Sequence, residues 1–221
     1  MAITLGLVFF CLAKLAGWSW QRADFWLLIS TPFSFIVLSF FALLFLEGEV
    51  LKIILGLITV ALLWLFAENL FNFVHLPGAY QVNALEYLTW VLNLLSVFFL
   101  ATGFFALRLY FGLPFWLLII VFLLAMFGLS TSTLWVEKIE SSKILPLGIG
   151  AAVLSSEFFV VLALLPIGFL SNAAFLSIFF YSFFGLTRAF LSGKLSSAVC
   201  RHYLLAAVLF SFLIIITTRW T

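Results

Sequence analysis

The sequence predicts an all-α fold, a polytopic bundle of transmembrane helices, and three observations carry that prediction. Of 221 residues, 67% are hydrophobic and only 8% are charged, against roughly 45–50% and about 25% in soluble globular domains. A water-soluble fold of this length could not hide two thirds of its residues, and a chain this apolar is not a disordered one. The apolar residues also fall into eight segments, near the ~20 residues that a helix needs to cross the hydrocarbon core. Every connection between those segments is short, so residues 1–221 read as a single integral membrane domain with no soluble domain.

The first segment, Ile3 to Trp18, is short, and Lys14 near its end can snorkel past Trp18 and Trp20. It lacks the basic start and the cleavage site of a signal peptide and reads as a mature helix. If it fails to span, seven spans remain. The second, Phe25 to Leu46, closes at Glu47-Gly48-Glu49, and Pro32 inside it should kink it or mark a late start. The third, Val50 to Leu76, stops at Pro77-Gly78, and the fourth, Leu85 to Leu107, ends at Arg108. The fifth opens on Pro114, a favoured residue for a first turn, and ends near Val136, where the charged loop Glu137 to Lys143 follows. The sixth, Ile144 to Leu165, has Ser141 or Ser142 as its cap, Pro146 early and Pro166 as its breaker. The seventh, Ala173 to Leu191, ends at the turn Ser192-Gly193-Lys194, and the eighth is Ala198 to Thr218.

Charge sets orientation and excludes classes of partner. A net charge of +2, thinly spread, leaves no footprint for nucleic acid and no polybasic lipid-binding run. Lys14, Arg22, Lys138, Lys143, Arg188, Lys194 and Arg201 gather near the loops that follow odd-numbered helices; Lys52, Arg108 and Arg219 lie on the other side. Seven against three predicts both termini outside an inner (cell) membrane. The expected partner is the lipid bilayer, with other membrane subunits or a second copy of the chain left open. Cys11 and Cys200 sit in or beside apolar segments and read as small apolar side chains.

The first six segments carry the marks of a candidate repeat. Phe25-Trp26-Leu27-Leu28-Ile29 recurs ninety positions on as Phe115-Trp116-Leu117-Leu118-Ile119, and the same offset takes Glu47 to Glu137. Val8-Phe9-Phe10, Lys52 and Glu68 map close to Val97-Phe98-Phe99, Lys143 and Glu157. Helices 1–3 would then correspond to helices 4–6, with two added. A three-helix unit has odd parity, so its second copy would be inverted, a common architecture among transporters. Chance recurrence in so restricted an alphabet is the competing explanation.

Polar groups inside the spans mark the candidate pathway, because a charge at a helix centre costs about 2.5–3.5 kcal/mol on insertion scales. Glu68, Asn72 and His75 share one face of helix 3, and Glu86 and Asn93 share one face of helix 4. Measured from the turn near Tyr80, His75 matches Glu86 in depth and Glu68 matches Asn93. The stripes could lock the hairpin as a hydrogen-bonded ladder or carry a proton or cation. Helix 6 has a stripe of small residues, Gly148, Ala152 and Ser155, flanked by Gly150, Ala151 and Ser156. Such a face packs closely on its neighbours. That makes helix 6 central and turns Glu157 towards protein. Glu68 and Glu157 are therefore expected to be desolvated and able to take up and release protons. Ser130, Thr131, Ser132 and Thr133 read as hydroxyls bonded back to helical carbonyls. Cys200-Arg201-His202 reads as an interfacial anchor, since residues two apart diverge on a helix.

Several chemistries lack their residues. There is no His-Glu-x-x-His, Gly128-Leu129-Ser130-Thr131-Ser132 misses the last glycine of a nucleophile elbow, and Asp24 is the only aspartate. Two histidines are too few for a His-rich metal site, and no phosphate-binding glycine loop exists, so no cofactor is expected. The expectation is a secondary transporter, or the membrane subunit of a transport complex, working through its intramembrane Glu residues. An intramembrane enzyme on a lipid substrate, with His75 and Glu86 as acid and base, and a non-catalytic scaffold are the alternatives.

Overall fold

All eight apolar segments are helical in the computed structural model, which describes every residue except 1, 16, 18–22, 77, 79, 82 and 219–221. In chain order the helices are α1 (Ala2–Leu15), α2 (Ala23–Leu43), α3 (Glu49–His75), α4 (Ala84–Phe111), α5 (Phe115–Val136), α6 (Ser141–Leu162), α7 (Phe169–Leu191) and α8 (Ser197–Thr217). Among the described residues, the six helices from α3 to α8 are long and apolar enough to cross a membrane. The 14 residues of α1 rise only about 21 Å, short of a core of about 30 Å. The apolar stretch of α2 is Leu28–Leu43. Trp18, Trp20, Arg22 and Arg219, used above for anchoring and orientation, lie outside the described residues.

The chain divides into two compact units within α4, Met1–Ser96 and Val97–Thr221. In the first, α1, α2 and α3 pack against one another. Ala13, Phe25 and Ile29 form a small core, joined by Phe9, whose ring meets Phe33 edge-on at 6.0 Å. Helix α2 runs on through Pro32, which has no N–H for the carbonyl of Leu28. Helix α3 buries only Thr59, Phe66 and Leu70. Those residues lie seven and four apart, so they trace one narrow line along the helix.

In the second unit α5 and α6 form the closest pair, and α6–α7 and α7–α8 continue the order of the chain. The small face of α6 explains the first contact. Gly148, Ala151, Ala152, Ser155 and Ser156 are buried, and a Cβ added at Gly148 would lie 2.7 Å from Cγ2 of Thr131 on α5. Phe159 is the hub of an aromatic cluster, stacked on Phe122 at 4.4 Å and near Phe105 at 4.6 Å. Helix α8 buries no residue. It rests on α7 where Gly185 makes room for the ring of Tyr203.

Two helix ends in this unit share one geometry with different residues. At the end of α7 the N–H of Gly193 donates to Phe190 and that of Lys194 to Ala189, with Gly193 at φ +64°. At the end of α5 the N–H of Lys138 donates to Trp135 and that of Ile139 to Leu134, with Lys138 at φ +56°. This is the helix-ending motif that glycine normally serves, and a lysine there costs about 1–2 kcal/mol.

Candidate functional site: a carboxyl group at the end of helix α5

Glu137 is the residue that stops α5. Its N–H still donates to Thr133, and the left-handed Lys138 after it turns the chain away. The turn holds the Glu137 side chain against the bundle. Both of its carboxyl oxygens are buried with no hydrogen-bond partner. A cavity of about 310 Å³ opens here, lined by Glu137, Lys138, Ile139, Glu140, Lys143, Arg188, Leu191 and Ser192.

The charges around this cavity are unequal. Lys143 and Glu140 form an exposed ion pair of 3.0 Å, and hydrogen bonds from Lys143 and Ser142 hold the Glu140 carboxyl below the usual carboxylate range. Glu137 has no such support. Burial pushes its pKa up to about 7, and the charge of Arg188 on α7 only partly opposes the rise. Tyr203 of α8 is within electrostatic reach of both Glu137 and Arg188. A carboxyl that titrates near neutrality beside a cavity can exchange a proton or hold a cation at physiological pH.

The residues expected from sequence are placed differently. Glu68 is exposed on α3, with Asn72 half-buried and His75 exposed along the same stripe. The His75 ring stacks on Phe71 at 4.8 Å. On α4, Glu86 accepts a hydrogen bond of 3.3 Å from the hydroxyl of Tyr80, while Asn93 is fully buried. One stripe therefore faces outward and the other inward, so the ladder pairing His75 with Glu86 and Glu68 with Asn93 is not formed. Glu157 is also exposed. The expectation that Glu68 and Glu157 are desolvated inside the protein is thus corrected. Of the hydroxyl run, Thr131 and Thr133 do bond back, to Phe127 at 2.9 Å and Leu129 at 2.8 Å, whereas the buried hydroxyl of Ser130 has no partner.

Glu137 itself was hidden among the residues of a charged loop. Besides the ninety-residue offset from Glu47, the sequence signal for it is that it immediately follows the last apolar residue of α5, the position from which a side chain still reaches the bundle. Among the described residues no group of three or more His, Cys, Asp or Glu side chains could hold a metal ion. No protein-family model matches the chain, and neither a curated protein nor a solved structure matches it.

Proposed function

We propose that the protein is a small secondary transporter, or the membrane subunit of a transport complex, and that Glu137 is its titratable centre. The observation that carries this reading is a buried carboxyl without a hydrogen-bond partner at the mouth of a polar cavity. Protonated, Glu137 is neutral and tolerates its site. Ionised, it draws a cation or Arg188 towards it, and that difference can drive a change of packing at the α5–α6 turn. The basic asymmetry puts this end of the unit on the inner face of a cell membrane, with both termini outside. An ion gradient is the energy source in this reading. Glu68, Asn72, His75, Glu86, Asn93 and Glu157 become secondary stations, with a partner helix covering the outward-facing ones.

The inverted repeat also belongs to this proposal. Glu47-Gly48 and Glu137-Lys138 stand ninety positions apart, and Gly48 and Lys138 share positive φ, +96° and +56°. Glu68 and Glu157, close to the same offset, are both exposed.

A scaffold reading has one observation in its favour. Helix α3 turns a carboxylate and an imidazole outward, with a half-buried amide between them, and a partner helix could cover them. Proton flux separates the two readings. In vesicles containing the purified protein and an internal pH-sensitive dye, an imposed pH gradient should collapse faster than in empty vesicles. Glu137→Gln should abolish the difference, and Glu140→Gln should leave it. Equal rates with and without protein favour the scaffold.

A further inference from the structure

A second cavity, of about 250 Å³, lies at the other end of the same unit, where α4 ends and α7 begins. Its polar groups are Arg108, in the last turn of α4, and Asn172, in the first turns of α7. Both carry atoms that the protein leaves unused. Nη1 of Arg108 and Oδ1 of Asn172 are buried with no hydrogen-bond partner. Asn172 is only 5% exposed, so solvent does not complete its bonding. An unmet hydrogen bond at a buried group costs about 1–3 kcal/mol, and more at a charged one. Two such groups lining one cavity are what a bound polar head would satisfy.

The charge balance fixes the sign of that head. The carbonyl ends of α4 and α6 come here, and the N–H ends of α5 and α7 start here. Each helix end acts as about half a charge, so the four cancel and the full charge of Arg108 leaves a balance of about one positive charge. An amide is turned over by a half-rotation, so Asn172 can present its N–H₂. The guanidinium is already fixed, its Cζ lying 4.1 Å from the centroid of the Phe115 ring. A planar, oriented guanidinium pairs best with a carboxylate or phosphate. The rest of the lining is apolar: Phe105, Leu109, Leu165 and Phe169 among it. The space equals that of about eight water molecules, more than a bare oxyanion fills.

We propose that this cavity binds the oxyanion head, phosphate or carboxylate, of an amphipathic molecule, with Arg108 as its cation and Asn172 as its second hydrogen-bonding group. The head could belong to a membrane lipid or to a free amphiphile. This site is independent of the reading of Glu137, and its test measures binding rather than flux.

The test follows thermal unfolding of the full chain in neutral detergent, titrated with inorganic phosphate or with octyl phosphate. Octyl phosphate should raise Tm saturably, at concentrations at least about tenfold lower than inorganic phosphate, since each buried CH₂ of its chain adds affinity. Arg108→Gln and Asn172→Leu should each weaken it by about tenfold or more. Arg108→Lys, which keeps the charge and loses the fork, should weaken it less, and Arg201→Gln on α8 should not change it. The same titration in phosphatidylcholine nanodiscs, with and without phosphatidic acid, separates the sources. A shift by octyl phosphate in pure phosphatidylcholine assigns the site to a free amphiphile; a shift only from phosphatidic acid assigns it to a lipid. The proposal is overturned if no probe shifts Tm, or if Asn172→Leu and the Arg108 variants respond as the wild type does. Inorganic phosphate binding as tightly as octyl phosphate would overturn the amphipathic part.

Discussion

Glu137 and Glu140 are three residues apart, yet the pKa of the first is raised and that of the second lowered, and surroundings alone separate them. Glu140 has Lys143 and water; Glu137 has burial and a charge on Arg188 too far to bond. The Glu137 shift has a consequence for stability. Its folded pKa of about 7 lies above the ordinary value near 4.3, so the folded state holds the proton over a range where the unfolded state has lost it. Stability is therefore greatest below about pH 4, falls as pH rises towards 7, and is level above that, the whole change being about 4 kcal/mol. Denaturation in mixed micelles at pH 5 and pH 8 should show the wild type weaker at the higher pH, and Glu137→Gln should flatten the difference. A wild type equally stable at both would mean the carboxyl is solvated. The strained Lys138 beside it has a structural explanation: the left-handed turn is what aims Glu137 back into the bundle.

Helix faces decide the next level. Each residue turns the helix by about 100°, so Glu68 stands about 160° from both Phe66 and Leu70, the residues that α3 buries. Glu157 stands about 140° from Ala152 and opposite Gly148, both on the face that α6 buries. The small-residue stripe is the packing face, except that Gly150 beside it is exposed, and the stripe's own periodicity sends Glu157 outward. The close approach at Gly148 makes a sharper prediction. Gly148→Ala puts a methyl 2.7 Å from Cγ2 of Thr131, and Thr131 is β-branched and cannot swing away. Overpacking of this kind costs about 1–3 kcal/mol. Thr131→Ser removes the opposing methyl and should restore most of the loss in the double variant. Additive losses would show that the two side chains do not meet.

Across the whole molecule, orientation is the property most open to test. Gly48, Gly112 and Gly193 have φ of +96°, +58° and +64°, a backbone that a cysteine would strain, so probes belong beside them. With Cys11 and Cys200, both exposed, replaced by serine, an impermeant thiol reagent added outside intact cells should label Glu49→Cys and Leu113→Cys and spare Ser192→Cys. Labelling of Ser192→Cys alone reverses the orientation. The outward faces of α3 and α8 are apolar along most of their length, as a bilayer demands of helices at its boundary.

The helical membrane class and the eight helices are legible in the residues alone, because length, hydropathy and the Pro and Gly breaks act locally. So is the close-packing face of α6, because small residues at helical spacing permit only one kind of neighbour. Tertiary structure alone decided which carboxyl is buried. Glu68 and Glu157 sit deepest in their apolar segments, yet depth along a helix says nothing about which way a side chain points around it. Glu137 lies at a helix end, where a local reading expects water, and a left-handed turn brings it into burial that the charge of Arg188, on a later helix, only partly offsets.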